Sequence, residues 1–238
     1  SVRIDQAMND ITKNYELIYI EDDSPDNSWN EILAVSSNNK AIKAVKLSRN
    51  FGQHNAISAG MEIANGEYVI LMDCDLQHDP VYILDLYNKI KEGNDLVYTI
   101  TNIRNHGFFK NITAKLYYKF VKFISDFDMD PNIGSYSILT RKVVDAFNQY
   151  NDYRKAYLWA LKWAGFKSAV IEIDHNKRFA GNSSYSFKKL LIHALNVTTA
   201  NSNKLLYLSV YLGIVTSIMS FFGVIIIVYR YFYHGGLE

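Results

Sequence analysis

Two short acidic runs carry the chemistry open to this sequence. Glu21-Asp22-Asp23-Ser24-Pro25-Asp26 follows the apolar run Leu17-Ile18-Tyr19-Ile20, and Asp73-Cys74-Asp75 follows Tyr68-Val69-Ile70-Leu71-Met72. A strand that ends in Asp-x-Asp sends two carboxylates to the same side of the backbone, because strand side chains alternate with a period of two. Two hard oxygen donors so placed suit a divalent ion that also touches diphosphate oxygens, the way magnesium and manganese are held. Taken alone the motif is weak, since turns after strands are rich in aspartate for local reasons. Several carboxylates gathered at the mouth of one sheet repel one another, however, so a cationic partner is expected there.

The elements that must position these runs alternate. Leu17–Ile20 reads as a strand, Trp29–Val35 as a helix, Ala41–Leu47 as a strand, and His54–Ala64 as a helix stopped by Asn65-Gly66. Tyr68–Met72 is a third strand, apolar throughout and so expected to be covered on both faces. Asp79-Pro80 has the form of an N-cap followed by proline at the first helical position, which opens a helix over Val81–Lys91. Asp95–Ile100 is a fourth strand. Strand–helix alternation of this kind predicts an α/β domain with a mostly parallel, Rossmann-like sheet and helices on both faces. Ligands in such sheets bind beyond the carboxyl ends of the strands, which is where both acidic runs fall.

The chain has 238 residues, 21 % charged and 49 % apolar, which excludes a disordered protein. Its 25 Lys and Arg against 24 Asp and Glu leave no basic field for nucleic acid. One cysteine, Cys74, excludes an intramolecular disulfide and a multi-cysteine zinc site, and the polar stretch from Ser1 to Lys13 is no signal peptide. Leu205–Tyr229 holds no charged residue, and about 20 such residues suffice to cross a membrane. Tyr207, Tyr211, Tyr229, Tyr231 and Tyr233 crowd its ends as interfacial aromatics do. The expected division is a domain over 1–200 and a transmembrane helix over 204–233, the first of a pair that Gly235-Gly236 would turn into. Segments near 108–125 and 187–200 read as amphipathic helices with lysines on one side, which either pack on the domain core with those lysines solvated or lie at a membrane surface, the reading favoured by the basic residues beside the span. Lys188, Lys189 and Lys204 beside the span place the domain in the cytoplasm, as for a bacterial inner membrane. His78 lies close enough to Asp75 to reach a metal, although histidines near a helix start are commonly just solvated, and Trp159 and Trp163 read as one packed helix face.

As a set the motifs resemble family 2 glycosyltransferases of the GT-A fold. Ile20–Ser28 is similar to the family's nucleotide-binding segment, Leu47-Ser48-Arg49-Asn50-Phe51-Gly52-Gln53 with Ala59-Gly60 to the next segment, and Met72-Asp73-Cys74-Asp75-Leu76-Gln77 to its metal-binding segment. Arg178-Phe179-Ala180-Gly181-Asn182-Ser183-Ser184-Tyr185 resembles the late segment of the polyprenyl-phosphate branch, which includes dolichol-phosphate mannose synthases and undecaprenyl-phosphate glycosyltransferases. The resemblance implies a UDP- or GDP-sugar donor, a polyprenyl phosphate acceptor, and Mg2+ or Mn2+ held by Asp75 with Asp73. It implies donor contacts from Glu21, Asp22, Asp26 and Asp73, a catalytic group of Asp73, Asp75, Gln77 and Arg178, and acceptor-phosphate contacts from Arg104, Arg178, Ser183 and Tyr185. A homo-oligomer is a further expectation.

Three positions depart from the family pattern. The strand with which relatives begin is expected to lie outside these residues, which leaves the donor pocket short of one wall. Glu21 stands where Asp or Asn is common. Ser135, in Gly134-Ser135-Tyr136-Ser137, stands where many relatives have an aspartate that is a candidate base. A hydroxyl of ordinary acidity is no base at neutral pH, and an alcohol acceptor would need one. A phosphate monoester, with its second pKa at about 6, needs none. The expected activity is therefore inverting transfer to a lipid phosphate. The alternatives are a saccharide-extending enzyme with Asp130 or Asp152 as base, and a non-catalytic nucleotide-sugar-binding homologue.

Overall fold

The computed structural model describes residues 2–75, 78–101, 132–150, 156–174 and 204–234. The expected helices near 108–125 and 187–200 lie outside these residues, as do Gln77, Arg104, Asp130, Asp152, Arg178, Ser183 and Tyr185.

Helix α1 (Val2–Asn9) leads into β1 (Leu17–Glu21), followed by α2 (Ser28–Asn38), β2 (Ile42–Lys46), α3 (Gln53–Ile63) and β3 (Tyr68–Leu71). A 3-10 turn (Pro80–Tyr82) opens α4 (Ile83–Lys91), and β4 (Leu96–Thr101), β5 (Ile133–Thr140), α5 (Arg141–Gln149), α6 (Tyr157–Trp163) and β6 (Ser168–Ile173) complete the domain. The four strands and three middle helices expected from periodicity are all present. Their boundaries follow local chemistry. Asp79 caps the α4 turn, its Oδ1 accepting from Val81 N at 3.1 Å with Pro80 behind it. Gly66 keeps a negative φ, unlike Gly52 (φ 87°) at the start of α3. The absent Cβ is what matters there, because one at Gly66 would stand 2.9 Å from the Tyr68 carbonyl oxygen.

β1 and β2 pair in parallel, from Leu17 opposite Ile42 to Glu21 opposite Lys46. The other strands form a second sheet of order β3-β5-β4-β6. In it β4 and β6 are parallel, whereas β5 runs antiparallel to both β3 and β4. The α/β layering stands, and the sheet is mixed because β5 returns through its centre.

Strand alternation divides the core in two. Leu96 and Tyr98 of β4 and Leu139 of β5 face Ile57 and Met61 of α3, Val143, Val144 and Phe147 of α5, and Leu161 of α6. Val97 of β4 and Tyr136 and Ile138 of β5 point the other way, onto Ile83, Leu86 and Ile90 of α4, with Ile4 and Met8 of α1 beside them. The sheet therefore carries helices on both faces, and Leu86, Val97, Ile138 and Leu139 are 0 % exposed.

Helix α7 (Lys204–His234) belongs to a separate compact unit. At ~1.5 Å per residue its length exceeds the ~30 Å of a hydrocarbon core. Leu206–Tyr233 has a mean hydropathy of 2.3 with none of that window buried, so it is long and apolar enough to cross a membrane.

Candidate functional site

The carboxyl ends of β1, β2 and β3 converge on one loop. Asp22, directly after β1, accepts from Phe51 N at 2.7 Å through Oδ1 and from Gly52 N at 2.8 Å through Oδ2. Its backbone carbonyl accepts from Asn50 Nδ2 at 2.9 Å. One carboxylate thus clamps the turn that feeds α3, and Gly52 supplies the positive φ that the turn requires.

Asp73, just past β3, is held on both oxygens. Gln53 Nε2, from the first residue of α3, donates to Oδ1 at 2.9 Å, and Ser135 Oγ donates to Oδ2 at 2.8 Å. The second contact follows from sheet register. Leu71 of β3 faces Ser137 of β5, so the antiparallel ladder carried two residues further sets Asp73 opposite Ser135. Backbone N–H of Asp73 donates to His78 Nδ1 at 3.3 Å. His78 is itself buried and stacked on Tyr136, with centroids 5.0 Å apart. That nitrogen is therefore engaged with the Asp73 turn, and His78 acts as scaffold. Asp75 follows on the same turn, partly exposed.

The first acidic run divides by burial. Glu21 is 4 % exposed, and its Oε1 accepts from Ser24 N at 2.5 Å. Lys46 Nζ stands 4.0 Å from its Oε2 and 3.6 Å from Asp23 Oδ1. The contacts of Glu21 are thus with its own turn and the neighbouring strand. Asp23 takes a φ of 51°, which bends that turn. Asp26 is exposed, and its Oδ1 accepts from Ser28 N at 3.0 Å at the start of α2. Hydrogen bonds from the Ser28 side chain and amide hold its carboxyl below the ordinary value. Arg49, exposed beside the loop, stacks its guanidinium over Phe51 at 4.7 Å.

The structure therefore brings Asp22, Asp73 and Asp75 to one end of the strands. It also adds Gln53 and Ser135 as the groups that fix Asp73. Gln53 was not singled out from sequence, for only the fold joins residues 53, 73 and 135. The available signal was the extension of the β3–β5 register. The arrangement offers oriented carboxylate oxygens at a partly open edge, suited to polyol hydroxyls and to a cation shared with phosphates.

Comparison with known proteins gives the family. The model for "Glycosyl transferase family 2" matches residues 3–147. The uncharacterized glycosyltransferase YkcC of Bacillus subtilis is 33 % identical over 228 residues, covering 95 % of this chain and 71 % of that protein. An undecaprenyl-phosphate 4-deoxy-4-formamido-L-arabinose transferase of Shewanella sediminis is 33 % identical, with 95 % and 69 % covered. A prophage bactoprenol glucosyl transferase homolog of Escherichia coli is 30 % identical, with 88 % and 69 % covered.

Proposed function

Because the chain belongs to glycosyl transferase family 2, we propose that it moves a sugar from a UDP- or GDP-linked donor to a polyprenyl phosphate at the cytoplasmic face of a membrane. The observation that carries this reading is the hydroxyl of Ser135, set opposite Asp73 and donating to it. That position holds no group able to deprotonate an alcohol at neutral pH. A phosphate acceptor removes the need, being largely dianionic already. The relatives named for undecaprenyl phosphate and bactoprenol support the same acceptor class.

The donor's ribose and diphosphate would lie against Asp73, whose two hydrogen bonds hold its carboxylate in one orientation. Asp22 would act from behind, holding the Asn50–Gly52 turn. Among the described residues no three His, Cys, Asp or Glu side chains gather as a closed metal site. Asp75 and Asp73 would be the residues to hold a hard divalent cation such as Mg2+ or Mn2+, whose preference is for oxygen donors. When bound, such an ion neutralises charge on the departing nucleotide diphosphate. The acceptor phosphate oxygen attacks the anomeric carbon in line. Its bond to that carbon forms as the bond to the diphosphate oxygen breaks, which inverts the configuration. Positioning then provides most of the rate. Helix α7 would keep the enzyme at the membrane where its acceptor resides.

The test is a transfer assay in detergent with a panel of nucleotide sugars, undecaprenyl phosphate and Mg2+ or Mn2+. Metal-dependent formation of a glycosylated lipid phosphate supports the proposal. Transfer to free sugars in preference to the lipid, or silence with every donor, overturns it.

A further inference from the structure

Gln53 and Ser135 hold the two oxygens of Asp73, and one buried residue of α6 reaches the supports of both. Tyr157 opens that helix and is 1 % exposed. Its backbone N–H is one of the first-turn amides that a helix leaves without an internal partner. It donates to His54 Nδ1 at 3.4 Å. His54 is the second residue of α3, directly after the Gln53 that donates to Asp73 Oδ1. The hydroxyl of Tyr157 lies 2.6 Å from Ser137 Oγ. Because Ser137 Oγ donates its own proton to the Ser135 carbonyl at 2.7 Å, Tyr157 is the donor of that pair. Burial pushes the phenol up, which keeps its proton in place for donation. The ring cannot turn freely either, since Phe147 of α5 meets it edge-on with centroids 5.9 Å apart. Strand alternation puts residues 135, 137 and 139 of β5 on one face, and Leu139 packs in the same cluster as Tyr157.

We propose that Tyr157 is a positioning residue for Asp73, acting on one carboxylate oxygen through Ser137 and Ser135 and on the other through His54 and Gln53. The inference rests on the donor-binding part given to Asp73 under the proposed function. Its two arms differ in kind. The hydroxyl arm fixes the backbone of Ser135, and with it the place from which Ser135 Oγ donates to Asp73 Oδ2. The amide arm fixes the first turn of α3, from which Gln53 reaches the other oxygen. Removing the hydroxyl alone therefore loosens one oxygen of Asp73 and leaves the other held. A contact made in the ground state and the transition state alike appears in binding rather than in turnover, so the loss belongs in nucleotide affinity. Tyr98 supplies the contrast. It lies in the same core cluster, and its hydroxyl is buried without a hydrogen-bond partner among the described residues. Two buried phenols of one layer thus differ in a single respect, the link of Tyr157 to the site.

The experiment is calorimetric titration of the full chain in detergent with UDP and with GDP, each in the presence of Mn2+. The variants are Tyr157→Phe, Ser137→Ala, Tyr98→Phe, Ser135→Ala and the double variant Ser135→Ala with Tyr157→Phe. One neutral buried hydrogen bond corresponds to about fivefold, so Tyr157→Phe should raise the nucleotide Kd about fivefold. Ser137→Ala cuts the same arm at its middle and should do about as much. Tyr98→Phe should change Kd by less than about twofold. Added to Ser135→Ala, Tyr157→Phe should likewise cost less than about twofold, because the link it serves is already gone. A purely structural part for the hydroxyl would show its whole factor in that background. A fivefold rise that persists beside Ser135→Ala, an equal rise in Tyr98→Phe, or no rise in Tyr157→Phe overturns the proposal. If Tyr157→Phe fails to fold, Ser137→Ala alone and combined with Ser135→Ala decides in the same way. Nucleotide binding with the expected pattern but no sugar transfer sinks the proposed function and leaves the positioning role standing. Transfer to lipid phosphate with Tyr157→Phe binding as the original does the reverse, and a chain that binds neither nucleotide overturns both.

Discussion

Replacing Ser135 by alanine removes one of the two side-chain donors to Asp73 and nothing else that the site is proposed to use. The lost contact is a 2.8 Å hydrogen bond to a carboxylate. Bonds to charged groups contribute about 1.5–3 kcal/mol, and the low end applies because Asp73 is partly exposed and keeps Gln53. A loss of about 1.4 kcal/mol corresponds to tenfold. Ser135→Ala should therefore lower kcat/KM for the donor about tenfold, and Ser135→Thr, which keeps the hydroxyl, should recover most of it. Ser135→Asp should be worse than alanine. It sets two carboxylates face to face, with repulsion of about 3 kcal/mol at ~5 Å in a medium of effective dielectric ~20. The assay is steady-state transfer to undecaprenyl phosphate at saturating acceptor with the donor varied, and far-UV circular dichroism as the check on folding. An alanine variant with unchanged kcat/KM refutes the claim that Ser135 orients Asp73. A loss of a thousandfold or more refutes the base-free mechanism, because it would give the hydroxyl a part in proton transfer.

Other perturbations probe the remaining contacts. Asp22→Ala leaves the Phe51 and Gly52 amides without their acceptor, and should lower stability by about 2 kcal/mol and weaken donor binding. Urea unfolding and donor titration measure the two effects. Asp75→Ala should abolish transfer with circular dichroism unchanged, and chelation of divalent ions should do the same to the unaltered chain. Near-normal turnover of the variant removes Asp75 from the proposed cation site, and near-normal turnover after chelation removes the cation. For Glu16, burial opposes the charge, but the Lys43 side chain and the Asn65 amide outweigh it and hold the folded pKa below the ordinary 4.5. A folded value below the unfolded one gives stability that is present above 4.5 and lost as pH falls through the folded value. Glu16→Gln should flatten the acid limb of the thermal stability profile, and an unchanged limb would show that the pair contributes nothing there. An aspartate in place of Ile218, midway along α7, adds about 2.5–3.5 kcal/mol to membrane insertion. It should lower the fraction of the protein recovered with the membrane on centrifugation.

The legible part of the fold was the part in which apolar runs are long and sharply bounded. β1 to β4 and the helices between them follow from such runs and from punctuation such as Asp79-Pro80. β5 does not, because its first half reads Gly134-Ser135-Tyr136-Ser137 and looks like a polar turn. Yet Ser137 and Thr99 are both 0 % exposed. Ser137 Oγ donates to the Ser135 carbonyl at 2.7 Å, which leaves its lone pairs to accept from Tyr157 Oη at 2.6 Å. Thr99 Oγ1 donates to the Tyr136 carbonyl at 2.8 Å. Polar residues can occupy the centre of a sheet when every donor is placed, and no local pattern announces that placement. Glu21 shows the converse. The resemblance implies a donor contact for it, and its burial within its own turn is visible only in three dimensions.

The mixed sheet also bears on the chemistry. β5 (Ile133–Thr140) is longer than β3 (Tyr68–Leu71), so its residues continue past the end of β3, and the register sets Ser135 directly opposite Asp73. Whatever stands at that register position acts on the same carboxylate. Aspartate there would bring a base, together with a like charge that must be offset. Serine gives up the base and gains a donor that fixes the carboxylate. In the proposed mechanism one residue on β5 would thereby couple two properties, the orientation of the Asp73 carboxylate and the class of acceptor that can react without losing a proton. That coupling is why the comparison of alanine, threonine and aspartate at position 135 tests the acceptor assignment as well as the hydrogen bond.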